Sequence, residues 1–287
     1  MPQSKPVAAE SLLKIDAHQH FWNYEPVKHG WISDDMSAIR KDFLPKDLLP
    51  VLRRNDFDGC VLVQVDQTEN ETSFLLELAK QNDFVKGVVG WIDLESETIE
   101  TRLAYYKQFE KLKGFRHILQ GEKDRAHMLK PQFINGIRAL KQFEFTYDIL
   151  IFPDQLKYTK ALVELLPAQQ FVIDHLAKPY IKAKKINEWK EDIQQLAQYE
   201  NVYCKISGMV TEADWQGWGE KDIFPYIDVV VDTFGTDRIM YGSDWPVCLV
   251  AAAYSEVVNV ARAYFSSFTQ NEQDNIFGQN AINFYNL

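Results

Sequence analysis

With 287 residues, 46% of them hydrophobic and 25% charged, the chain can build a sizeable core, which excludes a disordered polymer. A formal net charge of −10 argues against a nucleic-acid partner and against recruitment to an anionic membrane. The first residues lack the apolar stretch of a secretory signal, and no later run approaches the ~18 apolar residues a span requires, so a cytoplasmic protein without a membrane partner is expected.

Eight short runs rich in β-branched and apolar residues follow in chain order. They lie near Lys14–Phe21, Gly59–Gln67, Val85–Leu94, Leu112–Leu119, Thr146–Phe152, Phe171–Leu176, Val202–Ser207 and Arg238–Ser243. Most are continuously apolar rather than alternating, the pattern of strands buried on both faces. Amphipathic segments separate them. One begins near Pro45, another includes Thr72–Ala79 behind a Thr or Ser cap, and others cover Glu97–Glu110, Pro131–Gln142, Gln155–Leu166, Ile186–Tyr199, Ile223–Phe234 and Ala252–Phe265. Eight strand–helix alternations predict an α/β protein with a (β/α)8 TIM-type barrel. A doubly wound open sheet is the alternative, but no Gly-rich phosphate turn follows the first strand. No linker interrupts the pattern, so residues 1–13 read as an N-terminal extension and 14–287 as one domain.

Cys60, Cys204 and Cys248 are odd in number and far apart; Cys60 and Cys204 fall in apolar strand-like runs and read as buried reduced thiols, and the lack of Cys-x-x-Cys spacing points against a cysteine metal site. The longest connection runs from Trp22 to about Asp58. With Trp22, Tyr24 and Trp31 in it, it reads as an aromatic lid or wall over the mouth of the barrel.

The chemistry gathers at predicted strand ends. His18 and His20 are two residues apart on the first strand and so share a face. Asp244 ends the last strand, which a closed barrel makes the neighbour of the first. Arg116 and His117 end the fourth strand, His175 the sixth, and Lys205 lies on the seventh. Only His29 and His127 of the six histidines fall clearly away from strand ends. Two imidazoles and a carboxylate converging on one point suit water activation, metal binding or both. Asp174 precedes His175 and by alternation faces the other way, in a structural role.

The stretches Ile-Asp-Ala-His18-Gln-His20-Phe-Trp, Lys-Gly-Phe-Arg116-His117, Val-Ile-Asp-His175-Leu-Ala-Lys-Pro, Val-Tyr-Cys-Lys205-Ile-Ser-Gly and Tyr-Gly-Ser-Asp244-Trp-Pro resemble the amidohydrolase superfamily, in particular its lactonase branch. The resemblance spans the chain from Lys14. It implies a distorted (β/α)8 barrel and hydrolysis of a sugar lactone of the L-fucono- or L-rhamnono- type, or of an acidic pyrone-dicarboxylate-type lactone. Asp244 is expected to act as general base, with His18, His20 and His175, or a metal they hold, polarising the carbonyl. Arg116, His117, Lys205, Trp22 and Trp245 are expected to contact a small-molecule substrate. Binuclear relatives carry a lysine or glutamate bridge on strand 4 and a histidine on strand 5, both absent here. The choice is therefore one Zn²⁺ on His18, His20 and Asp244, with or without His175, or no metal at all; the branch includes members that work without one. A metal-dependent decarboxylase and a non-catalytic binding barrel remain as alternatives, and the sequence leaves the oligomeric state open.

Overall fold

The computed structural model describes residues 12–287. Apart from the exposed Leu12 and Leu13, the N-terminal extension lies outside the described residues. Eight parallel strands form one sheet in sequential order: β1 (Ile15–Gln19), β2 (Gly59–Val63), β3 (Val85–Gly90), β4 (Leu112–His117), β5 (Thr146–Ile149), β6 (Phe171–Ile173), β7 (Val202–Ile206) and β8 (Ile239–Tyr241). All lie inside the predicted runs, and five of the eight have every residue buried, as expected for strands covered by helices outside and packed side chains within.

The barrel closes just beyond the regular strands. The His20 amide donates to Trp245 O at 2.7 Å and the Asp244 amide to His18 O at 2.8 Å, while Gln19 bridges Trp245. Asp16 reinforces this seam. Its carboxylate accepts from the Ser243 amide (2.9 Å), the His18 amide (3.2 Å) and the Tyr254 hydroxyl (3.0 Å), while burial raises its pKa to about 6. Gly242 is required here, because a Cβ would lie 2.6 Å from His18 Cβ.

The outer helices are α1 (Pro45–Arg54), α2 (Glu69–Gln81), α3 (Ile99–Tyr106), α4 (Pro131–Gln142), α5 (Leu156–Leu165), α6 (Asn187–Leu196), α7 (Met209–Glu212), α8 (Glu220–Phe234), α9 (Tyr254–Phe265), α10 (Gln270–Asp274) and α11 (Asn280–Tyr285). The second begins three residues before Thr72, because the Thr68 hydroxyl caps the Glu71 amide at 3.2 Å. Val61, Val63, Val89, Val172 and Met240 fill the lower barrel, and Phe284 and Tyr285 of α11 plug its floor. The three cysteines are buried and unpaired. Among the described residues, no helix is long and apolar enough to cross a membrane.

Candidate active site

Immediately above the floor lies a layer of buried charge. Lys205 is fully buried; its ammonium sits 2.5 Å from Asp148 Oδ2 on β5 and 3.0 Å from Asp174 Oδ1 after β6. Arg116 donates from Nη1 to Asp174 Oδ2 at 2.9 Å and from Nη2 to the backbone carbonyl of Gln64. The Tyr285 hydroxyl rises from the floor to donate to Asp148 Oδ2 at 2.8 Å. Burial raises the Asp148 pKa to about 6 despite Lys205. Burial also pushes on Asp174, but Lys205, His18 and Arg116 outweigh it and hold that carboxyl well below its usual range.

Three imidazoles stand on this layer, at the C-terminal ends of the strands where active sites of this fold lie. His18 Nδ1 is 3.2 Å from Asp174 Oδ1 and 3.1 Å from the Lys205 ammonium, and its Nε2 turns toward His20 Nε2 at 3.2 Å. The Nδ1 of His20 donates to Val63 O at 2.7 Å, which fixes the tautomer and leaves a lone pair on Nε2. Asp244 Oδ1 lies 3.3 Å from His20 Nε2, 3.9 Å from His18 Nε2 and 3.8 Å from His175 Nε2. These contacts are all made by Oδ1, leaving Oδ2 uncommitted. Burial holds His18 and His175 well below the ordinary imidazole pKa, so both are neutral at pH 7. Burial acts to raise the Asp244 pKa, but the neighbouring His175, His20 and Lys178 outweigh it, and the carboxyl stays below its usual value.

His175 reaches the site through unusual backbone. The strand stops at Ile173, and four consecutive residues, His175 to Lys178, have φ of 54°, 55°, 59° and 51°. Each non-glycine residue in this region costs about 1–2 kcal/mol. The turn is held by the Trp189 indole N–H on Leu176 O (2.7 Å), by the Lys178 amide on His175 O (2.7 Å) and by His175 Nδ1 against Ser207 Oγ (2.8 Å). Glycine is needed at 208, where φ is +64° and a Cβ would lie 2.7 Å from the His175 ring.

The residues present fit a metal ion. His18 Nε2, His20 Nε2 and Asp244 Oδ1 converge within 4.8 Å of one another. The two shortest separations, 3.2 and 3.3 Å, match the edge of about 3.3–3.4 Å expected for ligands on a tetrahedral Zn²⁺. A lone pair on His20 facing a carboxylate is repulsive unless a cation or proton lies between them.

A cavity of about 390 Å³ opens over this centre, within the range of small-molecule sites. His20, Arg116, His175 and Asp244 line its base, and Lys178, Glu212, Trp215 and Trp31 its walls. Several sequence-expected contacts lie elsewhere. Lys205 is ion-paired beneath His18 and does not line the cavity. Trp22 is buried in the first loop, donating its indole N–H to Lys41 O at 2.9 Å, and Trp245 packs on Phe21 and Phe43. His117 stands outside the cavity lining, with Nε2 2.8 Å from Glu122 and its ring stacked on His127. Asp174 faces the barrel interior, on the same side as Val172 two residues before it, and the left-handed turn carries His175 inward as well, so the two do not face opposite ways. Sequence reasoning gave no role to Asp148, Lys178, Glu212 or Trp215; Lys178 alone carried a signal, three residues after His175 in a strand-end motif.

The amidohydrolase family model matches residues 15–287. The chain is 37% identical over 286 residues to the L-fucono-1,5-lactonase of Burkholderia multivorans, covering 96% of each. It is 33% identical to the L-fucono-1,5-lactonase of Burkholderia ambifaria, again over 96% of each. Its fold matches a solved amidohydrolase from Burkholderia multivorans with bound Zn at a TM-score of 0.93 and 36% identity, covering 96% of this chain and 99% of that one.

Proposed function

The chain belongs to the amidohydrolase family and is a hydrolase of carboxylic ester bonds, and we propose that it opens the ring of a neutral aldonolactone such as L-fucono-1,5-lactone. The observation that carries the reading is the charge balance of the cavity. Both cations on its wall are already matched, Arg116 by Asp174 at 2.9 Å and Lys178 by Glu212 at 2.7 Å, while Asp244 adds a negative charge. A dicarboxylate lactone would meet no unpaired side-chain cation there. A polyhydroxylated neutral ring would meet paired donors and acceptors between indole faces.

In this mechanism Asp244 Oδ2 positions a water against the lactone carbonyl and takes its proton as the oxygen adds to the carbon. The carbonyl oxygen becomes an oxyanion over the Arg116 edge of the cavity. The ring C–O bond then breaks, and Asp244 returns the proton to the departing alkoxide, giving an open hydroxy acid. With Nδ1 committed to Val63 O, His20 Nε2 is suited to hold a cation rather than to donate to the oxyanion. His18, His20 and Asp244 Oδ1 would hold a Zn²⁺, which when bound polarises the carbonyl and acidifies water.

The test is acid release, followed with a pH indicator, from L-fucono-, L-rhamnono- and L-galactonolactone and from a pyrone dicarboxylate, before and after chelation. Turnover confined to the neutral lactones is expected, with loss on chelation and return with Zn²⁺. Preference for the dicarboxylate refutes the charge argument, and turnover that survives complete metal removal refutes the metal assignment.

A further inference from the structure

The wall of the cavity carries a polar pair that the mechanism above does not use. Lys178 Nζ donates to Glu212 Oε1 at 2.7 Å, and the two side chains are only 17% and 18% exposed. One of the three ammonium hydrogens is committed, and Glu212 Oε2 has no partner among the described residues. Lys178 is the last residue of the left-handed turn that also delivers His175, so one strained segment presents a site imidazole and a substrate-facing cation to the same cavity. Glu212 ends α7, the short helix that follows Gly208. Its neighbour Trp215 is fixed by an indole N–H bond to Thr211 O at 2.8 Å. Backbone strain of this kind persists only where surrounding contacts over-determine it, and such places cluster at ligand sites.

We propose that the Lys178–Glu212 pair reads adjacent hydroxyls of the lactone ring and thereby sets specificity for polyhydroxylated over bare rings, an inference that rests on the neutral-lactone reading above. A vicinal diol complements such a pair. One hydroxyl oxygen accepts from the free ammonium hydrogens while its neighbour donates to Glu212 Oε2. The pair is net neutral, so it rewards hydroxyls without attracting an anion. Trp215, beside it on the wall, supplies an apolar surface for the ring's C–H face.

The experiment compares kcat/KM for L-fucono-1,5-lactone with that for unsubstituted δ-valerolactone. Lys178→Met and Glu212→Gln should each lower the ratio of the two about 10- to 100-fold, chiefly through KM for the sugar lactone. Lys178→Arg, which keeps the donors, should retain most of the ratio. Melting temperatures of all variants identify any that fail to fold. Ratios unchanged within about twofold, or equal losses on both substrates, would make the pair structural and overturn the proposal. A wild type that opens bare and hydroxylated rings equally well also overturns it while sparing the lactonase reading. A wild type that opens no lactone removes both.

Discussion

Replacing Lys205 with methionine tests the charged layer on which the site stands. The side chain is fully buried, and its ammonium is the only cation within ion-pair distance of Asp148 among the described residues; Asp174 keeps Arg116. Removing one partner of a buried pair typically costs about 3–5 kcal/mol, because the remaining charge has lost its compensation. For a chain of this size that corresponds to a fall in melting temperature of roughly 6–15 °C. The loss should depend on pH. The Asp148 pKa is raised to about 6, above its unfolded value, so the stability tied to its neutral form is present below about pH 4 and lost as pH rises through 6. Below pH 6 both proteins keep that proton and differ least. Above it the wild type ionises against Lys205, whereas the variant must bury an unpaired carboxylate, so the deficit grows by up to about 1.4 kcal/mol per pH unit until it saturates. Thermal and urea unfolding at pH 5, 6.5 and 8 would measure this. Adding Asp148→Asn should recover about 2–3 kcal/mol at pH 8, since removing both partners leaves no orphan charge. A deficit that is flat with pH, or no rescue by Asp148→Asn, would refute the reasoning. A stable Lys205→Met enzyme with only a raised KM would return the lysine to the substrate.

Asp244→Asn should cut turnover by at least about 10³-fold with little change in melting temperature, because asparagine tolerates the φ of +57° found there while the proton acceptor and the anionic metal ligand are lost; residual activity above a tenth of wild type in a lactone assay would remove Asp244 as base. Gly208→Ala should cost about 1–3 kcal/mol and at least tenfold in kcat, since its methyl would displace the His175 ring. Gly235→Ala, at φ +69° and ψ 178° in a region essentially reserved for glycine but with nothing within 4 Å of the new Cβ, should cost about 1–3 kcal/mol and leave kcat alone, so equal kcat losses in the two would show that His175 is not the affected group.

The barrel was legible in the sequence because buried parallel strands write an unbroken apolar signature, and because eight of them alternated with amphipathic runs. His18, His20 and Asp244 were placed together on a local argument, alternation within one strand, plus one global one, closure of the last strand on the first. The errors arose where direction depended on partners remote in sequence. Lys205 stands near a strand end as a substrate-binding residue would, yet Asp148 and Asp174 draw it beneath His18, whereas Arg116 lines the cavity. Asp148 lies within β5, before the strand end where the site motifs concentrate, so nothing in the sequence marks it. Asp174 keeps the inward side of Val172, and it is His175 that departs from alternation, because the strand has ended at Ile173 and the backbone turns left-handed. The left-handed turn that follows contains no glycine, so composition gave no sign of it. That turn is also what brings Lys178 to the cavity. The residues hardest to find from sequence are therefore those whose placement costs backbone strain, and the interactions that hold the strained turn, from Trp189 and Ser207, are the ones that orient His175.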